Sequence, residues 1–352
     1  MRIDLEMQSA IRDVLSSMPR ISLLDLIPLT QDQTPHDALR DARELVLAAD
    51  RLGYHRYWVA EHHNTRAIAS TSPAVTLAWL GADTERIRLG SGGVMLPNHA
   101  PFVVAEQFAL LEAMYPDRID LGLGRAPGTD PVTAAALRRD TSQEAVERYP
   151  SDVVEIMHYL DPANSTVTAN SRHRLRAAAD IPHAPEFWLL GSSLYSAELA
   201  GMMGLPYAYA NHFNMGGDAM SAANHYRRHF RASARYEQPQ FMVSASVVVA
   251  GTEAEAQRLD MTQRVSRFQL LAGKLDKLLS PEAAAEFATE VEHTELWQRS
   301  KGNQYVGTAE TVRRGLDELV ERTGADELLL AINAYSLVDR LETLSALAPL
   351  QQ

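Results

Sequence analysis

The sequence predicts an α/β protein built as a (β/α)8 TIM barrel, a closed ring of eight parallel strands surrounded by helices. Short apolar segments alternate with helical segments along almost the whole chain, which is typical of strands and crossover helices in a parallel sheet. The apolar segments are continuous, which indicates strands buried on both faces. The length of 352 residues suits a single domain over residues 1–352 with insertions after the later strands.

Each of the predicted strands is followed by a helix. The strands are predicted at residues 21–27, 55–60, from 87 onward, 119–123, 186–190, 206–210, 241–250 and 327–332. These segments are rich in aliphatic, β-branched and aromatic residues, which favour strands. No internal repeat or low-complexity segment interrupts the alternation.

Capping residues predict where several helices begin. Thr34 stands directly before Pro35, and proline is favoured at the first helical position. Thr141 and Glu144 have the spacing of a capping box for a later helix. Pro150 is expected to kink or divide that helix.

Two segments depart from the alternation. Residues 161–185 are polar and bounded by prolines, which indicates an excursion outside the barrel. After a predicted helix over 252–279, residues 280–304 are charged and less regular. We therefore predict a second insertion over 273–304, before Val306, Gly307 and Thr308 introduce the next helix.

Composition limits the classes of partner. Lysine and arginine number 33 against 45 aspartates and glutamates, for a net charge of -12, which disfavours nucleic acid and anionic membranes. Cysteine is absent, so disulfides and thiolate metal sites are excluded and a cytoplasmic location is expected. The amino terminus has charges throughout and no apolar core of a signal peptide, and no segment is apolar enough to span a bilayer.

Two glycine-rich loops follow predicted strands. Gly92 and Gly93 permit close approach of a flat ligand. The loop over 122–128 contains Arg125, which suits an anion held by backbone amides and a guanidinium. Both loops are also consistent with ordinary turns. Pro127 breaks the dinucleotide-binding fingerprint, so a Rossmann interpretation is disfavoured.

Polar residues follow five of the predicted strands. Barrel topology brings the carboxyl ends of strands to one face, so these side chains should converge. They are Glu61, His62, His63 and Asn64, then Gly92 and Gly93, Arg125, Gly191 to Ser193, and finally Asn211 and His212. Arg125 with Ser192 and Ser193 suits a phosphate at a helix amino terminus.

Each of these residues also has a structural interpretation. Adjacent histidines at a strand end point in opposite directions, so at most one of His62 and His63 should face the cavity. Ser193 is consistent with a plain helix cap and Arg125 with a surface ion pair. Glu61, His62 and His63 form no HExxH pattern and have no third histidine at a suitable spacing, so no metal site is predicted.

The chain resembles the bacterial luciferase-like flavin monooxygenases, and in particular single-chain members of the alkanal-monooxygenase type, from about residue 21 to 347. The motifs that carry the resemblance are YWVAEHH over 57–63, IRLGSGGVMLP over 87–97, AEQ over 105–107, RIDLGLGR over 118–125, LGSS over 190–193 and VGT over 306–308. In this order and spacing they are specific to the family.

The resemblance implies roles for particular residues. His62 matches the family histidine near the reactive edge of the flavin, acting as base or stabiliser, with Glu61 beside it. Gly92 and Gly93 match the site of a cis peptide bond against the isoalloxazine ring. Arg125, with the loop of Gly191, Ser192 and Ser193, matches residues that hold the flavin phosphate, although the luciferase subunit has an acidic residue where Gly191 stands. His63, Asn211 and His212 are expected on the substrate side, and 273–304 matches the position of a mobile lid.

The function implied by the resemblance is FMN-dependent monooxygenation. Reduced FMN from a separate flavin reductase would react with O2 through a C4a-peroxyflavin and oxygenate a small organic substrate. A homodimer is expected. Two alternatives stay open: a hydride-transferring oxidoreductase that uses a deazaflavin, for which Arg138 and Arg139 are the nearby basic candidates, and a non-catalytic flavin-binding barrel.

Overall fold

The computed structural model describes residues 19–126, 129–138, 142, 144, 147–161, 177, 181, 183–213 and 217–349. The strands in these residues are β1 (Arg20–Asp25), β2 (Arg56–Val59), β3 (Arg88–Ser91), β4 (Val94–Met95), β5 (Ile119–Gly124), β6 (Glu186–Gly191), β7 (Tyr207–Tyr209), β8 (Phe241–Val249), β9 (Gln304–Gly307) and β10 (Glu327–Ala331). All eight predicted strands are present, each shifted by no more than a few residues.

The strands close into a barrel. The ring runs β1, β2, β3, β5, β6, β7, β8, β10 and back to β1, and every pair in it is parallel. This confirms the predicted (β/α)8 architecture. Two extra strands extend it, since β4 pairs with β5 and β9 pairs with the last residues of β8. Strand β9 was not predicted from the sequence because it is short and directly follows a charged segment.

Helices surround the barrel. They are α1 (Pro35–Leu52), α2 (Pro73–Leu80), α3 (Pro101–Met114), α4 (Pro131–Leu137), α5 (Tyr149–Leu160), α6 (Leu194–Met203), α7 (Ala219–His229), α8 (Glu253–Leu271), α9 (Pro281–Val291), α10 (Glu295–Arg299), α11 (Ala309–Thr323) and α12 (Leu337–Ala346). The first of them begins as predicted, because Thr34 and Asp37 form a reciprocal capping box ahead of Pro35.

Pro150 divides the predicted helix, which was one of the two expected outcomes. Glu144 and Glu147 are helical, Arg148 lies in a turn, and a new helix, α5, begins at Tyr149. Pro150 lies in the first turn of α5, where its missing N–H removes no helical hydrogen bond. Asp130 caps the separate helix α4, accepting hydrogen bonds from the amides of Val132 and Thr133 at 2.9 and 3.0 Å. The expected cap residue Thr141 lies outside the described residues.

The apolar core has two layers. The larger layer lies between the outer face of the barrel and the helices and includes Leu45, Phe108 and Ile156. The smaller layer fills the barrel, where the rings of Trp58 and Trp188 meet edge to face with centroids 5.6 Å apart. Because side chains fill this interior, ligands have access only from the end of the barrel.

A buried ionic cluster closes the amino-terminal end of the barrel. The Arg56 guanidinium is 1% exposed and lies 2.8 Å from Asp120, 2.9 Å from Glu186 and 3.0 Å from Glu327. Arg88 lies 2.7 Å from Asp120 on the same side. The opposite end, where the strands finish, is the end that carries the predicted functional residues.

The second insertion is more regular than predicted. Helices α9 and α10 pack on α8 through their own apolar cluster, in which Trp297 is 3% exposed and contacts Phe268. The predicted helix over 252–279 ends at Leu271. Almost all of 161–185 lies outside the described residues. Among the described helices, none is long and apolar enough to cross a membrane.

Candidate active site

A cavity of about 440 Å³ lies at the carboxyl-terminal end of the barrel. Helix α8 and the segment that follows it cover one side, with Leu270 and Leu278 in contact with the cavity. Leu26, Ile68 and Phe213 also line it. Most of the wall surface is apolar, as is usual for small-molecule sites, and polar side chains that include Arg267 and Arg299 also line it.

Four buried polar atoms around this cavity have no hydrogen-bond partner among the described residues. They are His62 Nδ1, His212 Nε2, Gln263 Nε2 and Asn333 Oδ1. An unpaired buried polar atom costs free energy, and several around one cavity indicate a place where a ligand supplies the partners. The set includes acceptors and donors, which suits a heterocyclic or polar organic ligand.

Hydrogen bonds fix the tautomer of His212. The Ser244 hydroxyl lies 3.1 Å from the carbonyl of Tyr209, to which it donates its only hydrogen. It therefore accepts from His212 Nδ1 at 2.6 Å and from the His212 amide at 3.2 Å. Nδ1 carries the hydrogen, so Nε2 presents a lone pair toward the cavity. Burial, with a smaller contribution from His62, lowers the pKa of His212 to about 4, so the ring is neutral at pH 7.

His62 is also neutral at pH 7. It lies just beyond β2, where its amide donates to the carbonyl of Ser70 at 3.1 Å. Burial lowers the pKa of His62 to about 4, although the neighbouring Glu61 opposes this shift. A neutral imidazole in an apolar cavity is able to accept a proton from a bound ligand.

Glu61 joins two histidines and the strand β4. It is 1% exposed, and its Oε1 lies 2.7 Å from Nε2 of both His63 and His99. Its Oε2 accepts from the Met95 amide at 3.0 Å. Burial raises the pKa of Glu61, but the hydrogen bonds from His99, His63 and Met95 outweigh it, so the pKa lies below its ordinary value. The ionised carboxylate only accepts, so both histidines donate through Nε2.

The glycine pair forms the bend between β3 and β4. The Gly92 to Gly93 peptide bond is cis, as the resemblance implies. A Cβ on Gly93 would lie 2.8 Å from the Gly122 carbonyl oxygen and one on Gly92 would lie 2.7 Å from a Leu24 methyl. Gly93 has no room for a side chain because the close atom is backbone, whereas at Gly92 the Leu24 methyl would have to move.

Arg125 and the serine loop form a second polar region. The register pairs Met95 with Gly124 and Gly124 with Leu190, so Arg125 and Ser192 follow neighbouring strand ends. The Arg125 guanidinium stacks on the Tyr195 ring at 4.2 Å.

No carboxylate pairs with Arg125 in the part of the chain that the structure describes. Ser193 caps α6 by accepting from the Ser196 amide. A free guanidinium beside a helix amino terminus suits an anion.

Two of the remaining predicted residues do not line the cavity. His63 contacts Glu61 and not the cavity, and Asn211 is buried in a turn without lining it. Gln263 and Asn333 line the cavity but were missed. Asn333 lies two residues beyond β10, so the strand-end rule that selected His212 would also have found it. Gln263 lies on a helix, and no sequence signal marks it.

Comparisons with known proteins agree with this architecture. The family model of the luciferase-like monooxygenases matches residues 20–327. A luciferase-like monooxygenase of Escherichia coli (strain K12) is 40% identical over 311 residues, which are 88% of this chain and 90% of that protein. N-acetyl-S-alkylcysteine monooxygenase of Bacillus subtilis (strain 168) is 32% identical over 303 residues, 86% of this chain and 89% of that protein.

Solved structures share the fold over nearly the full length. Apo-MsnO8 superposes with a TM-score of 0.83 and 34% identity, covering 95% of this chain and 97% of the other. The oxygenating constituent of 3,6-diketocamphane monooxygenase from Pseudomonas putida, in complex with FMN, has a TM-score of 0.70 and 15% identity over 94% and 97%. An F420-dependent secondary alcohol dehydrogenase has a TM-score of 0.66 and 18% identity over 94% and 98%.

The two structures below 20% identity show a shared fold alone. The family match covers most of the chain, and two of the curated relatives exceed 30% identity over more than four fifths of it. The resemblance drawn from the motifs is thereby confirmed. The chain is an oxidoreductase of the luciferase-like monooxygenase family.

Proposed function

We propose that the protein is an FMN-dependent monooxygenase that uses reduced FMN and O2 to oxygenate a small organic substrate. The observation that carries the proposal is the apolar cavity with two neutral, unpaired histidine nitrogens at the carboxyl end of the barrel. Reduced flavin supplies two electrons, so that one oxygen atom enters the substrate and the other leaves as water.

The residues present fit a flavin. The free guanidinium of Arg125, with the helix amino terminus behind Ser192 and Ser193, would hold the phosphate. The bend at Gly92 and Gly93 would lie against the ring. The buried nitrogens without partners would meet the polar edge of the ring or the substrate.

The chain's own groups would manage protons and exclude water. His62 and His212 are neutral at pH 7 and each has one unpaired nitrogen, so either is able to take a proton from a bound ligand. Glu61 acts as a positioning residue, since it holds β4 and two histidines in place. Helix α8 and the insertion over 273–304 would act as the lid that keeps water out.

The mostly apolar wall favours an organic substrate with an apolar portion. Because a relative with 32% identity is an N-acetyl-S-alkylcysteine monooxygenase, compounds of that class are the first to test. The remaining partners proposed are a separate flavin reductase and a second copy of the chain.

The test is an anaerobic titration of the purified protein with reduced FMN and, separately, with reduced deazaflavin coenzyme. The complex is then mixed rapidly with oxygen while absorbance is recorded. We expect tighter binding of reduced FMN and a transient near-ultraviolet absorbance that differs from both oxidised and reduced flavin. With substrate and ¹⁸O2, one labelled atom should enter the product.

Arg125→Gln should weaken FMN binding by about tenfold or more, since a charge-assisted bond to phosphate is lost. The matched control is Arg314→Gln, because Arg314 is 63% exposed on α11. Tight deazaflavin binding with no transient would instead assign hydride transfer. Flavin binding with neither oxygen chemistry nor hydride transfer would assign a non-catalytic barrel.

A further inference from the structure

Three side chains on the outer surface of α6 and α7 form a cluster that the proposed flavin chemistry does not use. They are Glu198 on α6 and His225 and His229 on α7. One nitrogen or oxygen from each lies within 4.8 Å of the others, and all three side chains are partly buried. We propose that this cluster binds a divalent transition metal, with zinc as the best match.

The histidine spacing suits joint ligation. His225 and His229 are four residues apart on one helix, so both project from the same face. Their rings lie 4.3 Å apart, centroid to centroid. The residues at the strand ends predicted no metal site, whereas this histidine pair becomes apparent only when 219–229 is known to be helical.

Hydrogen bonding prepares His229 as a ligand. Its Nδ1 lies 2.8 Å from the His225 carbonyl oxygen. A carbonyl only accepts, so Nδ1 carries the hydrogen and Nε2 presents its lone pair. Metal-bound histidines usually donate their second nitrogen to a carbonyl or carboxylate in this way.

The distance to the carboxylate fits a shared metal better than a hydrogen bond. His225 Nε2 lies 3.3 Å from Glu198 Oε2, which is long for a charge-assisted hydrogen bond. Two ligands about 2.05 Å from a tetrahedral zinc ion stand about 3.3 Å apart. Zinc would replace the proton between these two atoms and keep them near their present separation.

The cluster around Glu61 provides a contrast. Its two histidine nitrogens each lie 2.7 Å from one carboxylate oxygen. That separation is a normal hydrogen bond and is too short for two ligands of one zinc ion. Of the two carboxylate and histidine clusters in the described residues, the one around Glu61 therefore has the spacing of a hydrogen-bonded network, and the one around Glu198 has the spacing of a metal site.

Close helix packing brings the ligands together. A Cβ on Gly201 would lie 2.7 Å from the Tyr226 carbonyl oxygen and 3.1 Å from His229 Cβ. Gly201 lies three residues after Glu198 on the same face of α6, so the glycine permits the approach that brings Glu198 to the histidines. Zinc bound there would link α6 to α7, with water in the fourth position.

The test uses untagged protein without flavin and zinc chloride alone, measured by isothermal titration calorimetry near pH 7.5. We expect one saturable zinc ion per chain, and we expect His229→Gln and Glu198→Gln each to weaken binding by at least about tenfold. The matched control is His183→Gln, since His183 is an exposed histidine near Asp117 and the described residues place no second histidine in that pair. His99→Gln should also retain binding, and circular dichroism checks that each variant is folded.

Absence of saturable binding in the wild-type chain would overturn the proposal. Binding that survives in His229→Gln but is lost in His99→Gln would also overturn it, by assigning zinc to the Glu61 cluster. The measurement involves neither flavin nor oxygen, so its outcome is independent of the proposed monooxygenase activity.

Discussion

At the scale of single residues, the hydrogen bond to Ser244 sets which nitrogen of His212 carries the hydrogen. Ser244→Ala removes the acceptor for His212 Nδ1, so both tautomers become accessible. In one of them Nε2 carries the hydrogen and has no lone pair to accept a proton. We expect kcat to fall about tenfold while the FMN dissociation constant is unchanged. Steady-state oxygenation and a flavin titration measure the two quantities.

Ser244→Thr is the control for this prediction, because it keeps a hydroxyl at the same position. It should recover most of the activity if the hydrogen bond matters. If Ser244→Ala turns over at the wild-type rate, the tautomer of His212 has no part in the reaction.

His62 should make stability depend on pH. Its pKa is about 4 in the folded chain against an ordinary value of 6.5, so between those values the unfolded chain takes up a proton that the folded chain does not. The free energy of unfolding therefore falls as the pH drops from about 6.5 to 4, by up to about 3 kcal/mol. Above pH 6.5 His62 is neutral in both the folded and the unfolded chain, so it adds no pH dependence to the free energy of unfolding.

His62→Gln should flatten that part of the pH profile, as measured by urea unfolding at several pH values. Other buried histidines, such as His212, will leave some slope. The prediction fails if the variant and the wild type lose stability in parallel from pH 6.5 to 4.

The convergence of polar residues at the strand ends could be predicted from the sequence, because the barrel brings all strand ends to one face. Glu61, His62 and His212 were found in this way. Their contacts could not be predicted, since whether His62 or His63 faces the cavity depends on the turn after β2. His99 was missed because it lies in the loop after β4, and its role emerges only from its hydrogen bond to Glu61.

At the scale of elements, the insertion over 273–304 is a small packed unit. Trp297 packs on α8, where its ring meets the Phe268 ring edge to face and the Arg264 guanidinium lies 4.1 Å from its centre. Arg267 Nε donates to the carbonyl of Ser300 at 2.9 Å, which ties the end of α10 to α8 beside the cavity. The lid therefore depends on packing as well as on hydrogen bonds.

Trp297→Ala should loosen this lid, since removing a buried tryptophan typically costs about 3 to 5 kcal/mol. The loss should be local, with faster hydrogen exchange over 281–299 and unchanged exchange in the barrel strands. Water would then enter, so the fraction of reduced flavin lost as hydrogen peroxide should rise several-fold. Trp297→Phe keeps most of the packing and is the control. Equal exchange rates in Trp297→Ala and wild type would contradict the prediction.

The sequence predicted the strands better than the insertion for a physical reason. Barrel strands are buried on both faces and read as continuous apolar runs. Helices α9 and α10 bury only a narrow stripe against α8, with Ala284, Ala288 and Trp297 in it, and their other faces are charged. Such a pattern resembles an irregular segment until the packing partner is known.

At the scale of the whole molecule, helices α2 and α3 carry apolar side chains on their outer faces. Those on α2 are Val75 and Trp79, 69% and 43% exposed. Those on α3 are Val103, Leu110 and Met114, between 45% and 57% exposed. The two helices are neighbours in the fold, and we call these five exposed residues the apolar patch. Exposed apolar patches of this kind often mark an interface, and a two-fold axis would place the patch against its own copy.

The expected homodimer should therefore dissociate when charge enters the patch. Leu110→Glu would place two carboxylates in or near an apolar interface, where burying unpaired charge is unfavourable, so we expect a monomer of about half the mass by light scattering after gel filtration. Val338→Glu is the matched control, since Val338 is 63% exposed on α12, outside the patch, and that variant should stay dimeric. If both variants remain dimers, the interface lies elsewhere; if the wild-type chain is already a monomer, the patch has another role. Because neither residue lines the cavity, flavin binding by the Leu110→Glu monomer would show whether one chain holds a complete site.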